Sequence, residues 1–290
     1  MRRLLKLFGL LLALGAGLIL ALSILAGLRN QGDLPVGERI GVVEVEGFIG
    51  DSRPAVEALR GFREEDEVKA VILRVESPGG VIAPSQEIHD EVKRTAAKKP
   101  VVVSMGAVAA SGGYYISAPA TKIVANPGTA TGSIGVILQF HELHVLMDKL
   151  GLRARVVKSG PLKDAGSPFR EMTGEERAVF QGLIDDLFDQ FVDAVAEGRR
   201  LERQSVLSIA DGRVYSGRQA LDLGLVDQLG GFWDAVEMAQ QMSGLEGKPR
   251  LEYRKRQPWG LLRWILGEDG AALGALEQAT APPLRYALSW

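Results

Sequence analysis

The sequence predicts an α/β fold with a mostly parallel sheet, set behind one N-terminal transmembrane helix. Three observations carry this. Ala70–Val75 and Val101–Val103 are short runs rich in β-branched residues and apolar almost throughout, which is how strands buried on both faces read. Amphipathic helical segments separate them, as right-handed βαβ connections require. Leu7–Leu28 contains no charged residue; at about 1.5 Å per residue it spans roughly 33 Å, enough for a bilayer core of about 30 Å.

Arg2, Arg3 and Lys6 precede that uncharged run, while Asp33 and Glu38 lie beyond it. The positive-inside bias then predicts a single-pass protein of the cell membrane, with a cytoplasmic N-terminus and the rest outside the cytoplasm. A cleaved secretory signal is the alternative. The run is long for a signal, and Ala21-Leu22-Ser23 and Ala26-Gly27-Leu28 are poor cleavage sites, which favours an uncleaved anchor. The expected organisation is a cytoplasmic end and anchor over 1–29, a linker over 30–39, a globular domain over 40–245 and a tail over 246–290.

Composition narrows the chemistry. The 290 residues are 46% hydrophobic and 24% charged, with a net charge of −2. No basic excess points to nucleic acid. The absence of cysteine excludes disulfides, cysteine nucleophiles and thiolate metal sites. Only His89, His141 and His144 could serve a histidine-based mechanism.

In the globular domain, Val42, Val43 and Val45 suggest a first strand and Pro54–Phe62 a helix. Pro84–Ala97 has helical spacing with charge on one side, which places His89 on a solvated face. Ser111–Ala118 reads as a short helix, Lys122–Ala125 as a strand, His141–Leu150 as a helix and Arg153–Lys158 as a strand. Thr173 and Glu176 form a capping-box pair opening a helix to Arg200. Shorter helices follow near Gln204 and Gly217, and another over Phe232–Met242. In the tail, Trp259, Leu261, Leu262, Trp264, Ile265 and Leu266 form an apolar cluster. It suits a packed helix better than an interfacial membrane segment.

Three glycine-marked turns follow buried strands: Glu76–Gly80, Ser104–Gly113 and Thr131–Gly135. Loops at the carboxyl ends of parallel strands gather in one crevice. Ser111 begins a helix there, between Ala110 and Gly112. The N–H of Gly112 could face an oxyanion, and Gly80 could supply a second donor. The same serine also suits a helix N-cap. A nucleophilic serine needs a base. His141-Glu142-Leu143-His144 has i,i+3 spacing and not the zinc motif's i,i+4. Lys163 remains, just beyond the expected strand. A lysine base must be neutral near pH 7, a change of about 4 kcal/mol that an apolar cleft supplies. Ser133 could orient it, and an extended backbone would turn Asp164 to the other side.

Ser77-Pro78-Gly79-Gly80, Ala109–Ser117, Thr131–Val136 and Ser159–Asp164 resemble, in order and spacing, the bacterial signal peptide peptidase family (SppA) in its short form. So do Ala210–Tyr215 and Leu223–Asp227; the likeness covers about Ile40–Met242. The resemblance implies a Clp-protease/crotonase-like fold, a superhelix of repeated ββα units, and a serine endopeptidase working by a Ser/Lys dyad. By it the nucleophile falls on Ser111, the base on Lys163, the oxyanion donors on Gly80 and Gly112, and the lysine-orienting hydroxyl on Ser133. No metal or cofactor is implied. The expected partners are hydrophobic peptides such as signal peptide remnants, the membrane, and further copies of the chain in a ring whose sites are shared between protomers. The rivals are a stomatin-partner protease, which usually has further spans, a crotonase-type hydratase, which needs catalytic carboxylates, and a non-catalytic scaffold of the same fold.

Overall fold

The computed structural model describes residues 37–254 and the backbone of residues 285–287. The expected anchor, most of the linker and the Trp-rich stretch of the tail lie outside the described residues. Among the described residues no helix is long and apolar enough to cross a membrane.

The chain from Arg39 onward opens with β1 (Arg39–Glu46), α1 (Arg53–Glu64), β2 (Val68–Ser77), β3 (Gly79–Val81) and α2 (Ile82–Ala96). Then come β4 (Val101–Ala110), α3 (Gly112–Ser117), β5 (Lys122–Ala125), β6 (Ala130–Gly132), α4 (His144–Lys149) and α5 (Gly174–Arg199). The remainder is α6 (Arg203–Ile209), β7 (Val214–Ser216), α7 (Gly217–Asp222), β8 (Gln228–Leu229), α8 (Phe232–Ser243), β9 (Leu251–Tyr253) and β10 (Arg285–Ala287).

The main sheet runs β7-β6-β4-β2-β1-β9, with β5 beside β4 and β8 beside β5. Of its described ladders all are parallel except β6–β7. Its strands are apolar on both faces because both are covered. Val43, Val71, Leu73, Val103 and Met105 join the core shared with Leu59, Phe62, Ile88 and Phe191 of the helices α1, α2 and α5. The intervening Ile40, Val42, Ala70, Ile72 and Val102 pack with Ala235, Val236 and Ala239 of α8. Truncating a fully buried ring such as Phe62 would cost about 3–5 kcal/mol.

The central strand forks. Val102–Met105 of β4 pair with β5, whereas Val108–Ala110 pair with β6. On its other edge β4 follows β2 from Val71–Val101 to Val75–Met105, then shifts so that Ser77 faces Ala109. The additional β4 residues form a bulge. The N–H groups of Ala107 and Val108 there donate to the Glu76 carboxylate at 2.8 and 3.2 Å, and Thr129 Oγ1 donates to the Gly106 carbonyl at 2.7 Å. The bulge thus has its polar groups satisfied.

Four expectations are corrected. The stretch expected as a turn from Ser104 is strand as far as Ala110, because its small residues lie between two neighbours. Arg153–Lys158 is irregular and not a strand: no strand among the described residues pairs with it, and Val157 is fully exposed. The helix expected over His141–Leu150 shortens to His144–Lys149. His89 is buried at 6% exposure, its ring 4.8 Å from that of Tyr115. The charges around it suggested a solvated face, but α2 turns His89 toward α3. Burial pushes its pKa down and so favours neutral imidazole.

Candidate active site

β4 runs directly into α3, and Ser111 is the single residue between them. Its backbone takes φ 54 and ψ −118, a region that a residue with a side chain rarely occupies. Two hydrogen bonds hold the turn: the Ser111 N–H donates to the Gly132 carbonyl and its own carbonyl accepts from Tyr115 N–H, both at 2.8 Å. The residue is 1% exposed, and its hydroxyl has no hydrogen-bond partner among the described residues. A buried hydroxyl left without a partner carries a desolvation cost of about 1–3 kcal/mol. A strained, unpaired serine on a strand-to-helix turn is the backbone device of a nucleophile elbow, although no Gly-x-Ser-x-Gly sequence marks it.

The Gly79-Gly80 turn lies against this serine. A Cβ on Gly112 would sit 3.0 Å from the Gly80 nitrogen, 3.2 Å from Gly79 Cα and 2.8 Å from Ser85 Oγ. A Cβ on Gly80 would meet the Ile49 carbonyl oxygen at 2.2 Å. Both positions therefore need glycine for close backbone approach. Ser77 Oγ accepts from Gly79 N–H at 3.1 Å and donates to the Gly47 carbonyl at 2.6 Å, fixing the turn. Val81 N–H donates to the Ile49 carbonyl at 2.8 Å, and Ile49 N–H to the Gly79 carbonyl at 3.0 Å. Gly79 and Val81 thus face Ile49, and by strand alternation Gly80 directs its N–H to the opposite edge.

Ser111, Gly112 and Gly80 are brought together. Ser133 directly follows Gly132, whose carbonyl holds Ser111; it is 6% exposed, takes φ 51, and donates its N–H to the Arg213 carbonyl at 2.9 Å. Lys163 is not brought to the hydroxyl. It lies exposed on the turn stretch Ser159–Gly166, and Ser111 Oγ has no partner among the described residues. Nor does any of the three histidines hydrogen-bond to Ser111 Oγ.

Asp164 is drawn away from Lys163 by pairing, not by the strand alternation expected. Arg170 donates to it at 2.9 and 3.2 Å and Lys158 at 2.5 Å. Arg170 and then Lys158 hold its carboxyl well below the ordinary range. Arg170 also grips Glu176, which accepts from the Thr173 N–H at 3.0 Å in the expected capping box. These contacts pin the Lys163 segment to the start of α5. Ser85, and the particular contacts made by Ser77, Glu76 and the Gly132 carbonyl, are parts of the site's frame that the sequence did not single out.

A model of peptidase family S49 matches residues 93–246. The chain belongs to peptidase family S49. This makes it a serine peptidase, and a Clp protease model matching residues 50–130 agrees with its α/β sheet. A Synechocystis sp. protein named as a protease is 45% identical to this S49 peptidase over 235 residues, 80% of this chain and 84% of its own. An Enterococcus faecium protein named for signal peptide peptidase SppA is 41% identical over 226 residues, 77% of this chain and 65% of its own. Protease 4 of Haemophilus influenzae is 39% identical over 217 residues, 71% of this chain and 35% of its own.

Proposed function

We propose that this S49 peptidase is a membrane-anchored endopeptidase that cleaves hydrophobic peptides, signal peptide remnants among them, by a Ser111/Lys163 dyad. The observation that carries the reading is the Ser111 hydroxyl, buried and unpaired on a strained turn beside the Gly80 nitrogen. Neutral Lys163 takes the Ser111 proton as Oγ attacks a peptide carbonyl. The N–H groups of Gly80 and Gly112 receive the oxyanion. Lys163 protonates the leaving amine and then activates the water that releases the acyl group. Ser133 orients the amine.

Lys163 comes from a neighbouring copy in a homo-oligomeric ring. Two features support this: Ser111 Oγ has no partner among the described residues, and the stretch leading to Lys163 exposes Val145, Leu150, Leu152, Val156 and Val157. Such apolar exposure suits a subunit contact. The peptidase domain spans 40–245, and residues 1–29 hold it to the membrane with the site outside the cytoplasm. The order β2-β3-α2 supports a superhelix of ββα units.

The test is hydrolysis of a fluorogenic hydrophobic peptide by the full chain in detergent. Ser111→Ala should lower kcat by roughly 10³-fold or more, and Lys163→Ala by about 10²–10⁴-fold, with both variants folded. Full activity in Ser111→Ala removes the nucleophile assignment; full activity in Lys163→Ala removes the base.

A further inference from the structure

At the Ser111 end of α3, β10 pairs antiparallel with β3. At its other end a separate cleft opens between α2, α5 and the turn that follows α3, with a volume of about 500 Å³. That is the size of a small-molecule site. α5 reaches this turn through Gly198, where a Cβ would meet the Ala118 carbonyl oxygen at 2.4 Å. Four cationic side chains line the cleft, Lys93, Lys122, Arg199 and Arg200, against the two carboxylates Glu197 and Asp227. The carboxylates are already engaged. Glu197 accepts from Lys93 at 2.6 Å. Asp227 accepts from Arg199 at 2.6 Å, from Lys122 at 3.0 Å and from the Ile123 N–H at 2.8 Å. The Arg200 guanidinium has no partner among the described residues. Its backbone points the same way. Arg200 caps the C-terminus of α5 in the left-handed region, at φ 55 and ψ 39, where glycine is the usual residue. An arginine near a helix C-terminus suits the dipole, but that requires neither a left-handed backbone nor a cleft in front of it. Thr121 Oγ1, also in the lining, accepts from the Val101 N–H at 3.0 Å, which leaves its own proton for a ligand.

We propose that this cleft binds a phosphate ester, with Arg200 as its principal donor and Lys93, Lys122 and Thr121 as further ones. Excess cation, an unpaired planar fork of N–H groups and a spare hydroxyl match a group that accepts several charge-assisted bonds at once. Ala96, Pro119 and Ala194 offer apolar wall to the carbon part of the ester. A soluble phosphomonoester and a phospholipid headgroup share this chemistry.

Isothermal titration calorimetry on the full chain in detergent tests this, with glycerol 3-phosphate, glycerol and soluble dihexanoyl phosphatidylglycerol as probes. Wild type should bind glycerol 3-phosphate and not glycerol. Arg200→Gly should weaken that binding about 10- to 100-fold. The same variant should melt at or above the wild-type temperature, because glycine relieves the left-handed cap. Lys93→Gln, on a different helix, should weaken binding by a smaller factor. Binding of the short-chain lipid alone, lost in Arg200→Gly, supports the site and assigns its phosphate to a lipid headgroup. Failure of wild type to bind either phosphate ester overturns the proposal, as does binding that Arg200→Gly and Lys93→Gln leave unchanged. Ser111→Ala should bind as wild type does; loss of binding there would put the ligand in the peptidase site and overturn this one.

Discussion

Ser111 occupies a backbone region that costs a non-glycine residue about 1–3 kcal/mol, and the surrounding bonds hold it there. Its neighbours are constrained as tightly. At Gly80 the obstacle is the Ile49 backbone, 2.2 Å from where a Cβ would be; backbone cannot swing aside as a side chain does. Gly80→Ala should therefore tilt β3 and move its N–H off the oxyanion. We expect kcat to fall roughly 10²–10³-fold, with circular dichroism and KM close to wild type; an unchanged kcat would remove this N–H from the reaction. That Ser111, Gly112 and Gly80 lie together was legible because glycines beside a serine after a buried strand leave a local mark. Glu76 and Ser85 were not, since the groups they meet are distant in sequence: Glu76 accepts from a β4 bulge and Ser85 lies where a Gly112 Cβ would point.

At the scale of elements, the clamp of Arg170 on Asp164 and Glu176 makes the Lys163 segment sensitive to acid. The Glu176 carboxyl is lowered from 4.5 to about 2, first by Arg170 and then by the Thr173 N–H. Its folded pKa lies below its unfolded one, so the contribution to stability is present above about 4.5 and is lost as pH falls toward about 2. Asp164 shifts in the same direction. The clamp is therefore closed at neutral pH and opens in acid. Arg170→Gln should open it at pH 7: limited trypsin digestion should cut at Lys158 or Lys163 several-fold faster than in wild type. The wild type should lose more stability than the variant between pH 5 and 2 (roughly the carboxylate range). Equal digestion rates would show that something else pins the segment. The capping box was readable because Thr173 and Glu176 are three residues apart; its arginine was not, as nothing local ties Arg170 to Glu176. Arg153–Lys158 misled for the converse reason. It has a strand's composition, but a strand needs a neighbour to pair with, and composition does not supply one.

For the molecule as a whole, the alternation of buried strands and amphipathic helices was enough to read a parallel sheet covered on both faces. The fork in β4 was not readable, because it depends on two different strands choosing the two halves of one neighbour. A dyad shared between copies has a consequence for mixtures. Ser111→Ala and Lys163→Ala, each inactive alone, should regain part of the wild-type rate when mixed, because some interfaces join an intact serine to an intact lysine. Specific activity should also fall on dilution below the dissociation constant of the assembly. No recovery on mixing, with the variants shown to exchange subunits, would put both groups in one chain.

The pairing of β3 with β10 matters before any catalysis begins. A site that reads peptides by their backbone must keep a strand edge with unspent N–H and C=O groups, and such an edge accepts almost any extended chain, including those of misfolding neighbours. With β10 in place that edge is covered. β10 thus acts as a sheath over the edge of β3 that would pair most readily with another chain.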